Sequence, residues 1–295
     1  MLLAAALLAV ALVLLALVPR HLLAARWPVR APVVALVLWQ AVGLAAGLLA
    51  LELALTLALA PHGRTHAAAL AGLRDGPSPW WSLLAAALGG LLLVRLLQVL
   101  LRSLVRTVRA RRRHRQLVDL LSTRNPLVRG ASVLEHDLPV AYCLPGLRPR
   151  VVVSQGALLR LTPAEVDAVL AHERAHVDQR HDLVVLPFTA LRATLPVLPA
   201  VCAASEEVAL LVEMLADDHA ARRHDRSTLA RALYKVGSGQ VPDGGLGAGD
   251  RGVLLRAGRL LDPPGALPLR SRLLVLLAAA GTLALPPLGL VVPLL

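Results

Sequence analysis

The chain has 295 residues, 57% of them hydrophobic, with a mean hydropathy of +0.66 and a net charge of +12. Soluble globular domains are less apolar than this, so the composition argues against an ordinary soluble enzyme and for a membrane protein. The apolar mass is Leu, Ala and Val, with Phe188 as the single Phe and only two Tyr. That suits lipid-facing helices and close helix packing and is poor material for an aromatic-cored β-protein.

Residues 1–18 carry no charge. As a helix they would extend about 27 Å, enough to cross a hydrocarbon core. A signal peptide is the rival reading, but a basic leading region and a clear small-residue cleavage site before Pro19 are missing. A second span is expected from about Val33 to Ala60, interrupted by Gln40 and Glu52. A third is expected from Trp80 to Leu101, opened by Trp80 and Trp81 at interface depth. A fourth begins after Arg272 and runs to Leu295, broken by Pro286 and Pro287.

Charge orients these spans. Nearly all the positive charge is Arg, Lys235 being the only Lys. Arg102, Arg106, Arg109, Arg111, Arg112, Arg113 and Arg115 follow the third span directly, and Arg256, Arg259, Arg270 and Arg272 precede the fourth. The positive-inside rule then puts the N-terminus outside and residues 102–272 in the cytoplasm. The 109–115 run could be read as a nucleic-acid patch. Its place beside the membrane favours a topology signal with anionic-lipid contact, so direct nucleic-acid binding is not expected. Cys143 and Cys202 are too few for a disulfide framework or a Cys-rich zinc site and are expected to be buried, reduced thiols.

The segment between the third and fourth spans is long enough for one compact domain. Val151–Ser154, set between Pro149 and Gly156, reads as a strand. Thr162-Pro-Ala-Glu165 opens a helix, with Thr162 as N-cap, Pro163 at N1 and Glu165 completing a capping box. Helical spacing continues to about Arg180. Residues 183–203 are apolar but interrupted by Pro187, Arg192, Pro196 and Pro199, which favours a membrane-apposed hairpin or a buried segment over a fifth span. A second helix is expected over about 205–224, and the Gly-rich stretch 237–252 reads as a loop or linker.

The helix begun at Thr162 carries His172-Glu-Arg-Ala-His176. Histidines at i and i+4 share a face one turn apart, so both imidazoles can reach one Zn²⁺. Glu173 would then point at the open coordination position and take a proton from the attacking water, whose pKa zinc lowers toward about 7. Zinc also polarises a carbonyl, which makes peptide hydrolysis the natural reaction.

Two histidines and a water leave one protein ligand to find. Glu213 and Asp217 are four apart and share a helix face. Glu213 would complete a His₂Glu site, and Asp217 could accept the second N–H of a ligand histidine. An ordinary acidic helix surface, with Glu206 and Glu207 as equals, is the other reading. His181 and Asp182 also follow the motif closely. A continued helix would put His181 off the shared face, leaving Asp182 a structural or orienting role. His219 and, less so, His224 are candidates to stabilise an oxyanion.

These stretches resemble the BlaR/MecR-type integral-membrane metallopeptidases, related to the HtpX-like gluzincins. The resemblance rests on Pro149–Leu158, Leu161–His176, Arg180-His-Asp182 and Glu213-Met-Leu-Ala-Asp217, and covers roughly residues 115–235. It implies a zinc site with Glu213 as third ligand, since that family uses the Glu of a Glu-x-x-Ala-Asp pattern. In better-known members an extracellular penicillin-binding sensor follows the last span and activates the protease against a transcriptional repressor. Here the chain ends at Leu295, so the sensing role is not expected while the protease is. The Arg-, Ala- and Leu-heavy usage resembles that of high-GC bacteria, where similar short proteins are paired with a BlaI-like winged-helix repressor.

The expectation is therefore an α-helical membrane protein of the bacterial plasma membrane, with four transmembrane helices, or five if 183–203 also crosses. A cytoplasmic α+β gluzincin-type metallopeptidase domain accompanies them. Residues 1–101 would form the three-helix membrane region, 102–236 the zinc domain, 237–270 the linker and 271–295 the last span. The expected substrate is a cytoplasmic protein, a BlaI-like repressor in the first instance, added as a strand to a sheet edge near Val151–Ser154. A quality-control protease of the HtpX kind and a non-enzymatic membrane scaffold are the alternatives, with a permease behind them.

Overall fold

A computed structural model of the protein describes residues 2–124, 131–144, 150–238 and 248–291. Four of its helices are long and apolar enough to cross a bilayer. The first joins α1 (Leu2–Leu12) and α2 (Val18–Ala24) through a π turn at Val13–Leu17. Pro19 has no N–H to give to the preceding turn, and the wider π turn takes up that defect. The helix therefore runs past Pro19 to Ala24, beyond the expected end at residue 18. Next come α3 (Pro32–Leu59), the short α4 (His66–Ala71) and α5 (Trp80–Leu121). The third apolar run thus continues as one helix through the Arg-rich stretch rather than ending near Leu101.

The sheet strands follow as β1 (Ser122–Arg124), β2 (Ala131–Leu134), β3 (Ala141–Leu144) and β4 (Arg150–Ser154). Helices α6 (Gln155–Arg160), α7 (Pro163–Asp178), α8 (His181–Thr194), α9 (Pro199–Ala220), α10 (Arg226–Ser238), α11 (Ala248–Leu261) and α12 (Leu269–Val291) complete the chain. Residues 183–203 do not form a fifth span among the described residues, because α8 ends at Thr194 and α9 begins at Pro199. Pro286 and Pro287 lie inside α12 and do not break it, as is common for proline in membrane helices. Part of the expected Gly-rich loop, 239–247, and the side chain of Cys143 lie outside the described residues. Cys202 is a free thiol but only half-buried, with Sγ 3.5 Å from the Pro196 carbonyl oxygen.

The chain forms two compact units that interleave in sequence. The first comprises Met1–Ser103, Leu186–Val208 and Leu267–Leu295, and the second Leu104–Val185 and Ala209–Ala266. In the first, α3 is the central helix, packed by α1 and α12. Its Trp39, Ala45 and Leu49 are buried, while Leu83, Leu88 and Leu91 of α5 and Leu274 and Leu277 of α12 are exposed, as lipid-facing residues would be. Glu52 is buried against Gly289 of α12, where any Cβ would collide with its carboxylate. Glycine is what lets α12 approach α3 there.

The second unit holds the sheet, in the order β1-β2-β4-β3. β2 and β4 are parallel, with Val133 opposite Val153, and β3 and β4 are antiparallel, with Tyr142 opposite Val152. β4 is thus an interior strand with both sides paired, which overturns the expectation that Val151–Ser154 offers an edge to substrate. The outer strands are β1 and β3. A fully buried run such as Val152–Val153 belongs in a sheet centre, covered on both faces. At the end of β4, Ser154 Oγ accepts from Val140 N and from Ala157 N and donates to Leu138 O, which caps α6. Gly156 follows, and a Cβ there would collide with the Asp137 carbonyl oxygen.

Helix α7 is seated against this sheet. Val166, Val169 and Leu170 pack with Ala141 and Val153 of the strands and Ala232 of α10. Each such side chain contributes about 1.5–3 kcal/mol on burial. Ala168 joins a second cluster with Ala220 of α9, Leu229 of α10 and Leu260 of α11. The expected capping box is present. Glu165 N donates to Thr162 Oγ1 at 3.3 Å, and Thr162 N donates to Glu165 Oε2 at 2.9 Å.

The buried Glu165 carboxylate also receives Lys235 Nζ of α10 at 2.7 and 2.8 Å. Burial pushes its pKa up, but Lys235 and Thr162 outweigh that and hold it below the ordinary value of 4.5. A depressed carboxylate stabilises the fold above its unfolded pKa, and that contribution is lost as pH falls through the folded value. Lys235→Ala should cost about 1–2 kcal/mol at neutral pH. The deficit relative to wild type should shrink below about pH 4 as the carboxyl protonates. Unfolding of both proteins in detergent across pH 3–8 would check this; a deficit independent of pH would contradict it.

A candidate metal centre

Helix α7 ends because Arg180 takes a positive φ of 50°. The chain turns there, and α8 starts a new direction at His181. Within α7, His172 and His176 lie one turn apart on a shared face. Their Nε2 atoms are 3.2 Å apart. From α9, Glu213 brings Oε2 to 3.4 Å from His172 Nε2 and Oε1 to 3.5 Å from His176 Nε2. Three ligand atoms at about 2.0–2.2 Å from a tetrahedral Zn²⁺ would be about 3.3–3.5 Å from one another. The triangle His172, His176, Glu213 matches that size, and two imidazoles with a carboxylate are a donor set that suits zinc. The residues present therefore fit the ion that the sequence pattern implies.

Charge points the same way. Burial opposes a proton on His172, yet Asp217 and Glu213 outweigh it and push the group up to about 9. Burial pulls His176 down to about 4, with Glu213 offsetting only part of it. Burial would raise Glu213 and Asp217, but His172 and Arg256 hold both down to about 2. Two carboxylates held well below their ordinary range beside these imidazoles suit a cation at this face.

Around the triangle, His172 Nδ1 is 2.9 Å from Asp217 Oδ1, a close but poorly aligned contact. Asp217 is 1% exposed and His172 3%. The structure brings His172, His176, Glu213 and Asp217 together. His181 departs from expectation. The turn at Arg180 carries it back so that its Nδ1 lies 3.1 Å from His176 Nδ1, and its Nε2 lies 3.3 Å from Gln179 Oε1. With His176 Nε2 free for metal, its Nδ1–H donates to His181, which in turn donates to Gln179. Burial holds the His181 pKa below its ordinary value, and Asp182 and His219 lie within electrostatic reach of it. His224 sits in the turn after α9, its N donating to Ala220 O. Glu173 is half-buried beside His172 and lies within electrostatic reach of Arg256.

Arg256 is the residue that sequence reasoning missed. It belongs to α11, in a stretch expected to be linker. Its Nη1 is 2.8 Å from Glu213 Oε2, and its Nε and Nη2 donate to Asp217 at 2.8 Å each. A signal was available in Val253, Leu254, Arg256, Ala257, Leu260 and Leu261, whose spacing is helical. The surrounding glycines obscured it.

Residues 107–211 match the model of Peptidase family M48, a family of zinc-dependent metallopeptidases. The matched segment runs from within α5 into α9 and contains His172, Glu173 and His176; Glu213 lies just past its end. The match supports a metallopeptidase. Comparison with curated proteins and with solved structures found no match.

Proposed function

We propose that the chain is a membrane-integral zinc endopeptidase that cleaves a cytoplasmic protein, in the first instance a BlaI-like winged-helix repressor. The observation that carries the reading is the His172–His176–Glu213 triangle, whose edges are those of one tetrahedral zinc face. The family match over 107–211 and the four apolar helices support it. Arg102, Arg106 and Arg109, at the inner end of the third span, favour a cytoplasmic catalytic unit with the N-terminus outside.

Zinc held by His172, His176 and Glu213 would polarise the scissile carbonyl and acidify the attacking water. Glu173 takes the proton from that water and hands it to the departing amine nitrogen. Asp217 and His181 hold the two ligand imidazoles in the tautomer that leaves Nε2 free. An extended substrate would add to an outer strand of the described sheet, β1 or β3.

The test is incubation of the purified chain with a BlaI-like repressor and with a loosely folded membrane protein, each with zinc and with a chelator. Repressor cleavage that chelator abolishes is the expected result. Cleavage of the membrane protein alone would move the function to clearing damaged proteins. A zinc-loaded chain that cleaves neither would favour the scaffold reading.

A further inference from the structure

We propose that Arg256 is a positioning residue of the metal centre, fixing Glu213 directly and His172 through Asp217. The inference rests on the zinc reading of the site.

One guanidinium meets both carboxylates that α9 presents one turn apart. Its fork takes Asp217, Nε to Oδ2 and Nη2 to Oδ1, and its remaining Nη1 takes Glu213 Oε2. Asp217 Oδ1 is also the oxygen that faces His172 Nδ1, and Glu213 Oε2 is the oxygen nearest His172 Nε2. Arg256 therefore acts on the same atoms that set the geometry of the donor triangle. It is 12% exposed. Two carboxylates this close would repel and reorient without a cation between them, and a buried charge left without its partner is costly. A planar fork holds both in fixed directions, whereas a lysine is a point charge on a flexible stem and sets their directions less firmly.

A neighbouring pair provides the contrast. Arg259, further along α11, also grips a carboxylate of α9 with two N–H groups, Nη1 and Nη2 donating to Asp218 at 2.7 and 2.8 Å. Asp218 is outside the donor triangle. Arg259 thus ties the same two helices together through a carboxylate outside the triangle. Docking of α11 and positioning of the metal ligands are separable by mutation.

The experiment is zinc affinity by chelator competition on the full chain in detergent, for wild type, Arg256→Gln, Arg256→Lys and Arg259→Gln. Circular dichroism on each sample would establish folding. Arg256→Gln should weaken zinc by about 10–100-fold, the range for partners that orient metal ligands. Arg256→Lys should fall between it and wild type, and Arg259→Gln should stay at the wild-type value. Wild-type affinity in Arg256→Gln would overturn the inference, as would an equal loss in Arg259→Gln, which would reduce Arg256 to a helix tie. Should Arg256→Gln not fold, Arg256→Lys decides, and wild-type affinity there overturns the need for the fork. A wild-type chain that takes up no zinc would instead overturn the metal reading itself, and this inference with it.

Discussion

Glu173→Gln is expected to abolish peptide cleavage while zinc stays bound. The three edges of the donor triangle involve His172, His176 and Glu213 and not Glu173, so the substitution removes no ligand. It preserves size and removes the base. General-base groups typically supply about 10²–10⁴ in rate, and the loss should fall on turnover rather than on zinc content. Glu173→Ala should behave alike. The measurement is cleavage rate and zinc stoichiometry on the same preparation. Retained cleavage in either variant would remove Glu173 from the role of base, and lost zinc would place it among the ligands.

The second large effect is loss of the metal itself. Glu213→Ala should release zinc and activity together, as should a His172→Ala/His176→Ala double variant. On the zinc reading the carboxylate is the third donor, and it is also the partner of Arg256, whose Nη1 lies 2.8 Å from Glu213 Oε2. Without it a buried guanidinium loses one of its two carboxylate partners beside the remaining donors. The drop in affinity should exceed the roughly 10–100-fold that outer partners cost. Wild type should carry close to one zinc per chain. Normal zinc in Glu213→Ala would mean that the third ligand is elsewhere, and no zinc in a folded wild type would favour the scaffold reading.

Much of this site is local in origin. His172 and His176 meet because i and i+4 positions of a helix share a face. The helix starts where it does because Thr162, Pro163 and Glu165 satisfy its first N–H groups. The four apolar helices follow from uninterrupted hydrophobic runs. All of these are properties of short windows, so they are legible in the amino-acid order.

What the order leaves open are the contacts between windows. Spacing on one helix leaves Glu213 level with Glu206 and Glu207; only the packing of α9 beside α7 puts Glu213, and not the others, into the donor triangle. The left-handed turn at Arg180 has no Gly or Asn to announce it, so the return of His181 to His176 is hidden. β4 reads as a strand in isolation, but its place between β2 and β3 depends on pairing partners elsewhere in the chain. Arg256 is the clearest case. Its partners lie on another helix, at the far side of the Gly-rich stretch, and no local period records a charge pair of that kind. The amino-acid order alone determined the His-Glu-x-x-His pattern on one helix face and the apolar spans, because those depend on backbone periodicity and hydrophobic length. Tertiary structure alone decided that Glu213 and not Glu206 or Glu207 closes the donor triangle, that His181 and Arg256 join it, and that β4 is interior, because these depend on which distant side chains packing brings within a few ångströms.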